Sequence, residues 1–183
     1  HEEFHEKEFA KQGGSLHAIQ LWVNLPRTSK MSMPGYQTIL NADIPSIDLD
    51  GGAGRLRVIA GSLHGRKGPA RTFTPVELYD LELKAGHHAL LTFPEGHNAS
   101  LFILQGRASV NGGQEAGEAE LIVCTRNGSQ VAVVAHEDSR LLVMAGEPID
   151  EPIARYGPFV MNTKAELVQA VNDYNAGKMG HLA

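Results

Sequence analysis

The chain has 183 residues, of which 42% are hydrophobic and 20% are charged, and it carries a formal net charge of -5 at pH 7. This length suits one or two compact β domains, and the sequence contains no apolar run near the roughly 18 residues that a membrane span requires. The acidic balance disfavours electrostatic binding to nucleic acid or to anionic membranes. Cys124 is the one cysteine, which excludes an internal disulfide and favours a reducing, cytoplasmic compartment.

The first residues, HEEFHEKEF, admit more than one interpretation. His1, Glu2 and His5 match the H-E-x-x-H pattern of zinc proteases, but that site needs a stable helix and a third ligand downstream, and a short terminal helix frays. On a strand, His1 and Glu3 would point to the same side, and one imidazole with one carboxylate suits a non-heme Fe(II) site. Two ligands do not close a site, so others must come from elsewhere. A chance match in a His-rich terminus, such as a tag remnant, stays open.

Short β-rich runs separated by turn residues follow, a pattern typical of an all-β sandwich or barrel. The runs are 16–25, 36–40, 55–61, 76–83, 89–93, 100–106, 119–124, 130–135 and 140–146. Residues 16–25 are almost continuously apolar, which predicts a strand covered on both faces. Asn and Gly residues at 49–52, 110–113 and 126–128 predict tight turns between antiparallel strands.

One helix is predicted, at the end of the chain. Thr163 and Glu166 form a capping-box pattern, apolar residues recur on one face after them, and Gly177 provides the C-terminal stop. We expect this helix to pack on a sheet.

Three stretches resemble the pirin family of bicupins: GGSLHAIQLWVNLP (13–26), PGYQ (34–37) and GEPIDEPIARYGPFVMNTKAELVQAVNDYNAGKMG (146–180). The resemblance covers essentially the whole chain. It implies an all-β fold of double-stranded β-helices, with a C-terminal α-helix. It also implies that 1–54 is the remainder of an N-terminal metal-binding cupin, 55–157 a complete and metal-free C-terminal cupin, and 158–183 an extended segment and helix that pack back on the barrels.

The resemblance also implies a metal site. In pirins, three His and one Glu hold a single iron, and the last His and the Glu form an H-x-E motif shortly before QLWVNLP. His1 and Glu3 occupy those two positions in this sequence. We therefore expect the chain to start inside the N-terminal cupin, with the remaining ligands on an upstream segment of roughly a hundred residues.

Other polar residues have weaker claims to a site. In the C-terminal cupin, His97 is out of register with the cupin metal motif, so it and Glu95 are predicted to be solvated loop residues. Glu77, Tyr79 and Asp80 lie on a predicted strand and are candidates for lining a cavity.

Two functions from different classes follow from the resemblance. The first is an Fe(II)-dependent dioxygenase of the quercetin 2,3-dioxygenase type, which acts on a flavonol and in which Glu3 accepts the proton of the substrate hydroxyl. The alternative is a redox-sensing regulatory protein that acts through a protein partner. In both, the iron is one per intact protein, no direct nucleic-acid or membrane binding is expected, and the 183-residue chain alone is expected to be inactive.

Overall fold

A computed structural model describes residues 7–180, which form two units: residues 7–31 together with 151–180, and Ser32–Asp150. The strands of the described part are β1 Ser46–Leu49, β2 Gly54–Ala60, β3 Ser62–Leu63, β4 Arg66–Lys67, β5 Val76–Leu83, β6 His88–Thr92, β7 Asn98–Gln105, β8 Arg107–Val110, β9 Glu115–Gly117, β10 Leu121–Val123, β11 Gln130–Ala135, β12 Ser139–Gly146, β13 Ala154–Tyr156 and β14 Phe159–Met161. The α-helices are α1 Lys7–Gln12 and α2 Lys164–Asn175, and short 3-10 turns span Arg27–Ser29, Asn41–Asp43 and Asp50–Gly52.

The unit Ser32–Asp150 is a sandwich of two antiparallel sheets. One sheet has the strand order β1-β2-β5-β12-β7-β10, and the other has the order β6-β11-β8-β9. Alternate side chains of both sheets form a single apolar core that includes Leu56, Leu81, Ile103, Val133 and Leu141. Because strands that bury one face read as alternating apolar and polar residues, this core follows directly from the sequence pattern. The predicted all-β fold with antiparallel pairing is confirmed.

Predicted and observed strands agree closely inside this unit. β5 and β11 have the predicted bounds 76–83 and 130–135, and β7 and β12 start within two residues of theirs. Asn111 and Gly112 both have positive φ, at 51° and 70°, as the predicted turn at 110–113 requires. These residues connect the end of β8 to the loop before β9.

The other unit contains α2 and the β13–β14 hairpin. The predicted capping box is confirmed, because the Thr163 side chain accepts a hydrogen bond from the Glu166 backbone N–H and the Glu166 carboxylate reaches back to the Thr163 backbone N–H. Gly177 has φ of 69° just beyond the helix, as a C-terminal stop requires. Leu167 and Ala170 are the buried residues of this helix.

Two predicted strands are wrong. Residues 13–26 have no regular secondary structure, and Leu16, Trp22 and Val23 are each at least 60% exposed, so the strand expected to be covered on both faces is not present. A strand forms only where a neighbouring strand completes its backbone hydrogen bonds, and no strand of the described residues pairs with this segment. Residues 36–40 are also irregular, and the Gln37 side chain instead bonds both backbone groups of Arg71.

Neither α-helix of the described part has the length and hydrophobicity that a bilayer-spanning helix requires.

Candidate functional site

The sequence-predicted metal ligands His1 and Glu3 lie outside the described residues, as does His5 of the H-E-x-x-H pattern. Among residues 7–180, no group of three or more His, Cys, Asp or Glu side chains is placed so that it could hold a metal ion. Residues 7–180 therefore do not form a metal centre from their own side chains.

The segment that follows these residues borders an open apolar cleft. Its volume is about 620 Å³, and Leu21, Trp22, Pro158 and Val160 line it. Lys30 also lines the cleft, and its ammonium donates hydrogen bonds to the Asn24 side chain at 2.6 Å and to the Val160 carbonyl at 3.2 Å. The volume lies within the range of roughly 300–1,000 Å³ that ligand pockets occupy. Sequence reasoning missed this cleft because it placed Trp22 in a packed strand.

Asp80 is a buried carboxylate held by two arginines on β2 and β12. Arg140 donates two hydrogen bonds to it, at 2.9 and 2.7 Å, and Arg57 donates one at 3.1 Å. Burial by itself raises the pKa of the Asp80 carboxyl, but the hydrogen bonds and charges of Arg140 and Arg57 outweigh it, and the net pKa is lowered. Asp80 is therefore an ionised group with a structural role, and its proposed place in a cavity lining stays a prediction.

Tyr79 is fully buried and packs against a second aromatic ring. Its ring stacks on Phe93 with 6.2 Å between centroids, and its hydroxyl donates to the Ser62 carbonyl at 3.1 Å. Burial, with a smaller contribution from the charge of Glu77, raises the pKa of Tyr79 to about 12. The phenol is therefore protonated at neutral pH and has a packing role.

His97 was predicted to be a solvated loop residue, and this prediction is wrong. Its side chain is only 10% exposed, and its Nδ1 lies 3.4 Å from Oε2 of Glu77, whose side chain is 14% exposed. Neither of these two atoms makes a hydrogen bond of good geometry, so the pair is a close contact between charges or dipoles and not an ideal hydrogen bond. Glu95, in the same loop, is exposed as predicted.

His97 lines a small cavity at one end of the sandwich. The cavity has a volume of about 160 Å³, and its lining includes Phe93, Ala99, Cys124 and Val131. Burial raises the pKa of the Cys124 thiol, so this cysteine is a neutral thiol and not an activated nucleophile. The sequence analysis did not predict this largely buried His–Glu pair beside the cavity.

Comparisons with known proteins agree on one family. Residues 78–180 match the model of the pirin C-terminal cupin domain. The Pseudomonas aeruginosa protein named "Putative quercetin 2,3-dioxygenase" is 45% identical over 178 residues, covering 97% of this chain and 62% of that protein. Pirin-1 of Arabidopsis thaliana is 38% identical over 185 residues, covering 98% of this chain and 62% of its own length.

A solved structure agrees with these relatives. The crystal structure titled quercetin 2,3-dioxygenase from Acinetobacter baumannii has a TM-score of 0.84 and 44% identity, and the match covers 88% of this chain and 56% of that one. The chain spans about six tenths of the length of the two relatives named above.

Proposed function

The chain belongs to the pirin family, and from this premise we propose that the protein is an iron-dependent oxygenase of the quercetin 2,3-dioxygenase type, with a small aromatic substrate. The observation that carries the proposal is the 45% identity to a relative named for this activity, which extends over 97% of the chain. The crystal structure titled for the same activity supports it at TM-score 0.84. A flavonol is the substrate class that these names suggest.

His1 and Glu3 are the proposed metal ligands of this chain. Bound Fe(II) would supply the activation of dioxygen and of the substrate oxygen. Glu3 would also accept the proton of the substrate hydroxyl, because an ionised carboxylate near the substrate is a suitable general base at neutral pH. The apolar cleft lined by Leu21 and Trp22 is large enough to hold a small aromatic substrate.

The domain division remains part of the proposal. We assign 1–54 to an N-terminal metal-binding cupin, 55–157 to a C-terminal cupin and 158–183 to a terminal segment with its helix. The family match to 78–180 supports a C-terminal cupin in this part of the chain. We also propose a cytoplasmic location, because Cys124 is the one cysteine of the sequence and a reducing compartment keeps it a free thiol.

The test uses the product of the intact gene, loaded with Fe(II) without oxygen and then mixed with quercetin in air. We expect metal-dependent loss of flavonol absorbance with release of carbon monoxide. Glu3→Gln should lower the rate by about 10²–10⁴-fold, the usual contribution of a general base, whereas Asp48→Asn, an exposed carboxylate on β1, should leave it unchanged. Iron-loaded protein that leaves quercetin intact would overturn the proposal.

The 183-residue chain by itself gives a second prediction. Two protein ligands do not close a metal site, so this chain should bind Fe(II) weakly and should not turn over quercetin. Isothermal titration with Fe(II) under anaerobic conditions measures this. Tight binding of one iron per chain would contradict it and would require further ligands from within the 183 residues.

A further inference from the structure

The loop between β10 and β11 carries an inference that is independent of the proposed oxygenase site. The sequence contains two Asn-Gly pairs, Asn111-Gly112 and Asn127-Gly128. We propose that Asn127 is a site of spontaneous deamidation, whereas the fold protects Asn111 from the same reaction. The products at position 127 are aspartate and isoaspartate, so the modification adds one negative charge to this loop.

Deamidation of an Asn-Gly pair requires only water as co-reactant. The backbone nitrogen of the glycine loses its proton and attacks Cγ of the asparagine, which closes a succinimide ring, and the side-chain nitrogen leaves as ammonia. Water then adds to either ring carbonyl, and the C–N bond that breaks decides between aspartate and isoaspartate. Glycine favours the attack because it has no Cβ and permits a wide range of backbone conformations. The fold therefore controls the rate through the freedom of Cγ to reach the next nitrogen.

Asn127 has this freedom. It is exposed, and neither its side chain nor its backbone N–H makes a hydrogen bond with the described residues. The Gly128 N–H, which supplies the attacking nitrogen, also makes none within residues 7–180. A Cβ at Gly128 would meet no described heavy atom within 4 Å, so the surroundings leave room for the ring to close.

Asn111 precedes a glycine as well, but it is held in place. Its side-chain oxygen accepts a hydrogen bond from the Ala132 backbone N–H at 2.8 Å, and its own N–H donates to the Ala132 carbonyl at 2.8 Å. The turn around it is closed by the Gly113 N–H, which donates to the Val110 carbonyl at 2.9 Å. The bond from Ala132 holds the carboxamide against β11, and rotation of Cγ towards Gly112 would break it. Asn111 must therefore lose native hydrogen bonds before it can react.

The modification changes the cavity at the end of the sandwich, because Asn127 is one of the residues that line it. The described lining includes no Asp or Glu, so deamidation introduces the first carboxylate. Isoaspartate also inserts one more carbon atom into the main chain, which alters the path of the loop between β10 and β11. Aged protein should therefore differ from fresh protein at this cavity.

The test is incubation of the 183-residue chain at mildly alkaline pH, followed over time by mass mapping of tryptic peptides. Trypsin cleaves after Arg126, so the two Asn-Gly pairs fall in separate peptides, and deamidation replaces NH by O in the peptide that contains it. We expect Asn127 to react about tenfold faster than Asn111 or more, because two net hydrogen bonds protect Asn111. Equal rates at the two residues, or a faster reaction at Asn111, would overturn the proposal.

The same incubation in urea separates the effect of the fold from that of the local sequence. Both asparagines precede glycine, so their rates in the unfolded chain should be similar. A preference for Asn127 that persists unchanged in urea would refute protection by the fold.

A pair of variants locates the modified residue. Asn127→Gln should remove the acidic species that isoelectric focusing detects in aged protein. Asn175→Gln, at an exposed asparagine followed by Ala176, is the control and should retain that species. An acidic species that forms at the unaltered rate in Asn127→Gln would contradict the assignment to Asn127.

Discussion

Asp80 joins three strands of the larger sheet through its carboxylate, which accepts hydrogen bonds from Arg57 and Arg140. The side chain is 6% exposed, whereas Arg57 is 20% and Arg140 41% exposed. Asp80→Asn would remove the negative charge and leave two arginines facing each other across a neutral amide. Because both arginines retain some hydration, we expect a loss of about 2–3 kcal/mol in the free energy of unfolding. Urea unfolding followed by circular dichroism measures this.

The matched control is Asp48→Asn on β1, an exposed carboxylate, which should change stability by no more than about 0.5 kcal/mol. The pH dependence follows from the lowered pKa of Asp80. A group with a depressed pKa in the folded state contributes stability above its unfolded pKa, about 3.9, and loses that contribution as the pH falls through the folded value. The difference between wild type and Asp80→Asn should therefore be constant above about pH 5 and decrease below pH 4. A difference that is constant down to pH 2 would exclude this account.

The same residues show what a sequence alone can and cannot reveal at this scale. The pattern around 76–83 placed Asp80 on a strand, but only the register, which sets Arg57 directly opposite Asp80, explains its burial. His97 stands among turn residues and was therefore predicted to be solvated. Its side chain lies against Glu77 of β5, which is distant in the sequence, and no local pattern indicates that contact.

At the scale of elements, the start of α2 depends on one side chain. Thr163 accepts from the Glu166 backbone N–H at 3.2 Å, which satisfies one of the free N–H groups at the helix start. Thr163→Ala should lower the free energy of unfolding by about 1 kcal/mol. It should also accelerate hydrogen exchange at the first amides of the helix. Lys164→Ala, an exposed substitution at the first helical position, is the control and should leave that exchange unchanged. Equal exchange rates in Thr163→Ala and wild type would mean that the cap contributes nothing.

The connection from β7 to β8 depends on Gly106, which has φ of 81°. A Cβ at this position would clash with the Asp138 carbonyl oxygen and with the Ser139 side chain. Gly112 has a similar φ of 70°, but a Cβ there meets no heavy atom of the described residues within 4 Å. Gly112→Ala should therefore lower the free energy of unfolding by about 1–2 kcal/mol, because of the left-handed backbone conformation alone. Gly106→Ala should lower it by roughly 3 kcal/mol, because the added methyl group also overpacks the site.

Urea unfolding of the two variants separates these contributions, since the backbone conformation is common to both. An equal decrease in the free energy of unfolding for Gly106→Ala and Gly112→Ala would show that the strands move apart to accept the methyl group. Such a result would contradict the close approach of Asp138 to Gly106.

The sequence analysis correctly predicted the strands whose pairing partners also lie in the sandwich. β5 and β11 were found with correct bounds because turn residues border them and their apolar side chains face a common core. Residues 16–25 have an equally apolar sequence, yet they form no strand in the described part of the chain. An apolar composition indicates that a segment is to be buried against other residues, but it does not identify the strand against which the segment packs. Short strands such as β3 and β9 were missed because two or three residues show no periodicity.

At the scale of the whole molecule, buried apolar residues are distributed unevenly between the two units. Of the buried hydrophobic residues, only Leu167 and Ala170 belong to residues 7–31 and 151–180, and all the others belong to Ser32–Asp150. Since burial of apolar surface is the main favourable contribution to folding, most of the stability of the described chain resides in the sandwich. Leu16, Trp22 and Val23, in contrast, leave most of their surface in water.

This distribution makes a prediction about cooperative unfolding. The fragment Ser32–Asp150 should fold alone and unfold in urea at the same midpoint as the main transition of the full chain, because the apolar core lies within it. Hydrogen exchange of the full chain should show strong protection in β5, β11 and β12 and rapid exchange in residues 13–26, where regular backbone pairing is absent among the described residues. A fragment that remains unfolded, or strong protection at 13–26, would contradict it. An unfolded fragment would mean that the sandwich requires residues outside Ser32–Asp150, and strong protection at 13–26 would mean that the backbone of this segment is hydrogen-bonded or buried in solution.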